Sequence, residues 1–188
     1  GGLFNLDTLN LADNQLTGVI PDSICNIYPN MNSFSISNNQ LCPPLPECLN
    51  YGDFVPQDIS SCLDWGCDEG ETELWYDCYS VQNTMELNLS NNGLSGTIPS
   101  DIVSLTNLTI LDLSDNEITG EIPTQLGYLI NLDTLNLSQN QLSGEIPESI
   151  CNIDGTLTFD YNNFCPPYPE CLNEFGLGYQ DTSECEEP

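Results

Sequence analysis

The chain has 188 residues, enough for one domain or two small ones, and its 39% hydrophobic content is adequate for a core. It carries 29 Asp and Glu with no Lys, Arg or His, for a formal charge of −29. That inventory excludes nucleic-acid binding and attraction to anionic lipid, which both need basic side chains, and it leaves no side-chain cation for a salt bridge.

Self-repulsion at this charge favours solubility and weakens the fold at low ionic strength, as expected of a solvated acidic surface in salty or calcium-containing surroundings. No apolar run is long enough to span a membrane. No charged leader with an apolar core is present, so any signal peptide is expected to have been removed or to lie outside this sequence. Ten cysteines, an even number in clusters, point to disulfides in an oxidising, extracellular compartment. With no Cys-x-x-Cys pair and no His, a zinc site is disfavoured. The absence of His and Lys removes a serine triad and its variants, and among 29 acids some carboxylate pair falls at a glycosidase distance by chance. No enzyme is expected.

In chain order, Gly1–Asn5 aligns with Gly127–Asn131, so the sequence opens in the middle of a repeat. Residues 6–62 and 132–185 are two copies of one passage. Leu6, Leu9 and Leu11 match Leu132, Leu135 and Leu137, and a strand is predicted over Asp7–Leu11. Ile24-Cys25-Asn26-Ile27 matches Ile150-Cys151-Asn152-Ile153, and Cys42-Pro43-Pro44 through Cys48 matches Cys165-Pro166-Pro167 through Cys171. Phe34 and Ile36, like Leu157 and Phe159, take the strand positions of a last, less regular repeat. Residues 63–83 start something new, with an aromatic, strand-prone stretch from Leu74 to Val81.

From Thr84 to Ile153 one pattern is written three times. Leu87, Leu89, Asn92, Leu94, Gly96, Ile98 and Pro99 recur 24 residues later as Leu111, Leu113, Asn116, Ile118, Gly120, Ile122 and Pro123. They recur again as Leu135, Leu137, Asn140, Leu142, Gly144, Ile146 and Pro147. The alternating L-x-L pair points two leucines to one side of a short strand. Strands are predicted at Glu86–Leu89, Thr109–Leu113 and Thr134–Leu137. The asparagine turns the chain, where its amide can bond the backbone of neighbouring coils. Glycine then relaxes the backbone, and Ile-Pro opens a convex segment that cannot be a central strand. Ile102 and Leu105, Leu126 and Leu129, and Ile150 and Ile153 follow at a three-residue step that suits an inward-facing 3-10 turn. One coil cannot bury its leucines alone. Neighbours must stack, which gives an α/β solenoid with a parallel sheet on one face.

This repeat, in its L-S-G-x-I-P form, resembles the plant-type leucine-rich repeat of receptor-like kinase ectodomains and polygalacturonase-inhibiting proteins, a form also found in secreted bacterial proteins. The resemblance implies a parallel sheet on the concave face, short 3-10 or irregular convex segments, and disulfide-bonded caps. It also implies extracellular recognition without naming a ligand. Residues 63–83 resemble the amino-terminal cap of such arrays, where a Trp and a Cys pair cover the first coil. The expected organisation is therefore the end of a first array with its cap (1–62), a linker and amino-terminal cap (63–83), and a second array with its carboxy-terminal cap (84–188), with the boundary near Cys62–Asp64.

Each set of four cysteines allows three pairings. Stacking Leu45-Pro46 on Ile20-Pro21 brings Cys48 about one coil above Cys25, which leaves Cys42 with Cys62. By position, Cys151 then pairs with Cys171 and Cys165 with Cys185, and Cys67 is left for Cys78.

The expected binding surface is the outward strand set Glu86, Asn88, Ser90, Asp112, Ser114, Asp133, Asn136 and Ser138. It is small, polar or acidic, without the Trp, Tyr or Arg anchors typical of protein hot spots. N-glycosylation sequons occur at Asn88, Asn107 and Asn136, although N-L-S is also simply what the repeat spells. A glycan fits Asn107 best and would block the face at the other two. Asp64, Asp68, Glu69 and Glu71, continuing to Glu73, form the densest acidic run, a weak calcium candidate without the order of a calcium loop. The leading expectation is a non-catalytic extracellular module for protein or glycan recognition and adhesion. The alternative is a structural subunit of an extracellular fibre or surface layer that assembles with copies of itself through the open coil at Leu6, Leu9 and Leu11.

Overall fold

A computed structural model describes residues 6–43, 45–49, 51–54, 56–59, 62, 67–75, 77–172 and 174–185. The expected boundary at Cys62–Asp64 and the calcium candidate Asp64 fall largely outside that set. The chain divides into two units, residues 1–66 with 75–77, and residues 67–74 with 78–188.

The first unit holds strands β1 (Thr8–Asn10), β2 (Thr17–Val19), β3 (Ser33–Ser35) and β4 (Gln40–Cys42), then the helical turn α1 (Tyr51–Phe54). β1 pairs with β3 in parallel, Leu9 opposite Phe34, and β2 pairs with β4 in parallel. Two sheets, each with one strand from either of two coils, thus enclose Ile20, Ile36, Leu41, Leu49 and Phe54.

The second unit opens with β5 (Glu71–Leu74) and β6 (Asp77–Ser80), which form a two-stranded sheet. The repeats follow as β7 (Glu86–Asn88), β8 (Ser95–Gly96), β9 (Ile110–Asp112), β10 (Glu117–Gly120), β11 (Thr134–Asn136), β12 (Gln141–Glu145), β13 (Thr156–Thr158) and β14 (Asn163–Cys165). The helical turn α2 (Glu174–Leu177) ends the series. β7, β9, β11 and β13 form the main sheet, parallel and in chain order, and each L-x-L strand is a residue or two shorter than predicted. The leucines of β7, β9 and β11, with the aliphatic residues of the following turns, are almost completely buried, while Leu157 of β13 is half-buried. Each such side chain contributes roughly 1.5–3 kcal/mol of burial. The predicted 3-10 turns appear at Ser100–Ser104, Thr124–Tyr128 and Glu148–Asn152. The carbonyls of Pro99, Pro123 and Pro147 accept from the amides of Ile102, Leu126 and Ile150 and so start each turn.

The convex side holds these turns as expected and carries one further element. It is not merely irregular: β8, β10, β12 and β14 form a second parallel sheet. The leucine-serine-glycine stretch supplies the strands, and the prolines end them instead of preventing them. Gly96, Gly120 and Gly144 sit at φ near +78 to +79°, a left-handed bend costly for any other residue. In register, Gly96 lies opposite Ile118, Gly120 opposite Leu142 and Gly144 opposite Phe164.

The asparagines form a ladder, as anticipated. The Asn140 side-chain oxygen accepts from the Ile118 amide at 3.1 Å, and its nitrogen donates to the Leu113, Leu137 and Ser138 carbonyls. Asn116, Asn162 and, in the first unit, Asn39 repeat the arrangement. All five expected disulfides are present, Cys25–Cys48, Cys42–Cys62, Cys67–Cys78, Cys151–Cys171 and Cys165–Cys185.

Candidate functional site

Strand register sorts the solvent face of the main sheet into columns. The first is Glu86, Ile110, Thr134 and Thr156, and the second is Asn88, Asp112, Asn136 and Thr158. This corrects one expected member. Asp133 precedes its strand, and Thr134 takes the place aligned with Glu86. It also adds Ile110, a half-buried aliphatic on a face expected to be wholly polar.

The serines form a third column with an internal task. Ser90, Ser114 and Ser138 donate through both hydroxyl and amide to the side-chain oxygens of Asn88, Asp112 and Asn136, the hydroxyl contacts measuring 2.6–2.7 Å. Ser114 and Ser138 are buried, at 7% and 9% exposure. They brace the strand ends with their single donor, which leaves each hydroxyl only acceptor capacity. Asn88 and Asn136 therefore end their strands instead of lying in the middle, with each side-chain oxygen already accepting two bonds.

A fourth column, Asn91, Asp115, Gln139 and Tyr161, has left-handed backbone at φ +54 to +56°. The amide of each bonds the next coil, from Asn91 to Ser114 and finally from Tyr161 to Tyr179. Asn and Asp tolerate this conformation, while an aromatic there is uncommon. Tyr161 is 59% exposed and Tyr179 63% exposed, their ring centroids 5.9 Å apart. Between them the Asp160 carboxylate accepts from both tyrosine amides. The regular repeats contain no such aromatic anchor on this face; it lies in the less regular last coil. The available signal was Tyr161, at the position where earlier coils carry Asn91, Asp115 and Gln139.

The other expected positions are dispersed. Leu6 and Leu9 are half-buried and Leu11 is 37% exposed, with β1 bonded along one edge to β3. Asp68, Glu69 and Glu71 are exposed, and Glu71 accepts from the Asp68 amide at 3.2 Å. Glu71 also lies beside Cys67 and Cys78, but those sulfurs are joined to each other and offer no thiolate. Glu73 has its carboxyl pushed up by burial and by the neighbouring Asp101 charge. Asn107 is exposed and donates to the Gln82 carbonyl at 3.0 Å. Among the described residues, no helix is long and apolar enough to cross a membrane.

Leucine-rich-repeat family models match residues 82–142 and residues 5–27. Over 98 residues, 51% of this chain, the sequence is 34% identical to Receptor-like protein 9b of Arabidopsis thaliana, of which it spans 10%. The plant peptide hormone receptor RGFR1 in complex with RGF2 is 30% identical over 90% of this chain and 23% of that one, at a TM-score of 0.46. PEPR1 with AtPEP1 is 28% identical over 87% of this chain and 22% of that one, at a TM-score of 0.48.

Proposed function

We infer that this chain, a member of the plant-type leucine-rich-repeat family, is a non-catalytic extracellular recognition module that binds a polypeptide partner along the solvent face of its second main sheet. The observation that carries the reading is the asymmetry of that face. Two columns, headed by Asn88 and Ser90, are short, polar and braced by hydrogen bonds to each other, while the carboxy-terminal end of the face presents the Tyr161–Tyr179 pair and Ile110 lies two coils earlier. Tyrosine supplies large contact area with little side-chain entropy to lose. The stacked strands and asparagine ladder hold these groups on a fixed frame, so little ordering cost falls on binding. The absence of Lys and His supports a non-catalytic role, and five disulfides support an extracellular one. The receptor-like relative supports the same class of function, while its whole length far exceeds this chain.

The test is selection of a random displayed peptide library on the immobilised protein, followed by affinity measurement of the selected peptides. Binding should fall at least tenfold for Tyr179→Ala and for Ile110→Asp, and hold for Thr97→Ala on the second-sheet side. Peptides equally tolerant of all three changes would overturn the reading.

A further inference from the structure

The two carboxy-terminal caps are copies of one another, but they differ where it matters for binding. Strand register equates Leu9 with Leu135, and therefore their partners Phe34 and Leu157. The cap glutamines Gln57 and Gln180 bridge Asn39 and Asn162 in the same way, which equates Leu49 with Leu172, Gly52 with Phe175 and Asp53 with Gly176. Between the preceding turn and this strand, the second copy has three residues fewer. Ile27 and Phe34 are seven apart, while Ile153 and Leu157 are four apart.

In the first unit the extra residues make a second 3-10 turn, Tyr28–Asn30. It lays the Tyr28 ring edge-on against Phe34 at 5.1 Å, and the Tyr28 hydroxyl donates to Asp53 at 2.8 Å. Tyr28 thereby packs on the cap core with Cys48 and Leu49, and Leu49 is only 8% exposed. In the second unit that ring has no counterpart. What stands in its place is a cavity of about 330 Å³, lined by the β13 residues Thr156–Thr158 with Gly155, Cys171, Leu172, Phe175 and Gly176. Leu172 is half-buried where Leu49 is buried, and Phe175, at 95% exposure, extends the apolar rim. A cavity of this size is at the lower end of those that hold ligands. Exposed Asp154, Glu170 and Glu174 each adjoin a lining residue in sequence, and no basic side chain exists anywhere in the chain.

We propose that this cavity is a docking site for one aromatic side chain of a partner polypeptide whose flanking residues are basic, seated as Tyr28 is seated in the first unit. This deepens the recognition reading above and rests on it. The first unit identifies the occupant's chemistry, and the acidic rim identifies its neighbours. Because Gly176 replaces Asp53, the cavity offers no carboxylate to a phenol, so phenylalanine serves as well as tyrosine. Such a ring buries about 150–250 Å².

The probe is a short synthetic peptide with one Phe between pairs of lysines, compared with its Phe→Ala twin, followed by the methyl NMR signals of Leu157 and Leu172. The Phe peptide should shift those signals, and the Ala peptide should bind at least tenfold more weakly. Grafting Tyr28–Pro29–Asn30 between Ile153 and Asp154 should abolish the Phe-dependent part, and Phe175→Gly should reduce it about tenfold. Equal binding of both peptides, or Phe-dependent binding that survives Phe175→Gly, would overturn the proposal. If library-selected peptides still need Tyr179 but ignore Phe175, the recognition reading stands and the cavity alone is wrong.

Discussion

Gln180 continues the ladder that Asn162 would otherwise end. Its side-chain oxygen accepts from the Phe164 amide at 3.3 Å, and its nitrogen donates to the Phe159 carbonyl at 2.9 Å and to the Leu177 carbonyl. Asn162 makes the corresponding bonds one coil earlier to Leu142, Leu137 and Phe159. Gln57 repeats the device in the first unit, between Leu41, Ile36 and Phe54. At the cap a longer side chain reaches the same backbone groups.

Loss of a ladder rung should therefore cost more inside the array than at its end. Asn140→Ala strands the buried Ile118 amide and removes one donor each from the Leu113 and Leu137 carbonyls, which keep their bonds from Asn116 and Asn162. Net hydrogen-bond values of about 0.5–1.5 kcal/mol each, plus the unsatisfied amide, put the loss at roughly 3–5 kcal/mol. Gln180→Ala, on a half-buried residue, should cost roughly 1–2 kcal/mol. Urea unfolding of the two variants checks the order, and equal losses would contradict it.

Alkaline stability should depend on Tyr28. Burial, then the hydrogen bond and charge of Asp53, push its phenol from 10.0 up to about 12. A raised folded value means the contribution is complete below the unfolded pKa of 10.0 and is lost as pH rises through about 12. Thermal melts of the wild-type first unit should fall across that window, and Tyr28→Phe should flatten the fall. An unchanged slope would contradict the assignment.

Salt and mild acid should both stabilise the chain. Its −29 charge has no internal counter-charge, and added salt screens the repulsion. Glu73 shows the local form, its carboxyl raised by burial and by Asp101. A carboxyl raised in the folded state favours folding below its unfolded pKa and loses that favour as pH rises through the folded value. Glu73→Gln should thus raise the melting temperature at neutral pH, with the gain disappearing on acidification. A gain constant with pH would contradict this.

Produced in a glycosylating host, the chain should carry its glycan at Asn107. That side chain is exposed ahead of β9, and its nitrogen, the atom a glycan joins, keeps one N–H for the Gln82 carbonyl after linkage, whereas Asn136 is half-buried on the main sheet. Mass spectrometry of peptides from an acid-specific protease reads occupancy directly, since trypsin finds no site. Occupancy at Asn136 and not at Asn107 would contradict the expectation.

Much of this was legible because each repeat writes its core in side chains. Leu87, Leu89, Leu111 and Leu113 announce the main sheet, Ile102 and Leu105 announce the turns, and coil spacing pairs the cysteines. The second sheet was hidden because its strands depend on glycine dihedrals at Gly96, Gly120 and Gly144, and β propensity counts glycine against a strand. The cap glutamines were readable in principle, since Leu177 and Gln180 keep the spacing of L-x-x-N. Tyr161 was legible as the successor of Asn91, Asp115 and Gln139, but the cavity was not, because whether three missing residues leave a hollow depends on how the neighbouring segments pack.

The most direct test of recognition through the second main-sheet face and its cap is hydrogen–deuterium exchange of the protein with and without a selected peptide. Protection is expected in the segments 156–161 and 171–180, with little change in 95–99, 117–123 and 141–147. Protection confined to those second-sheet segments would contradict it.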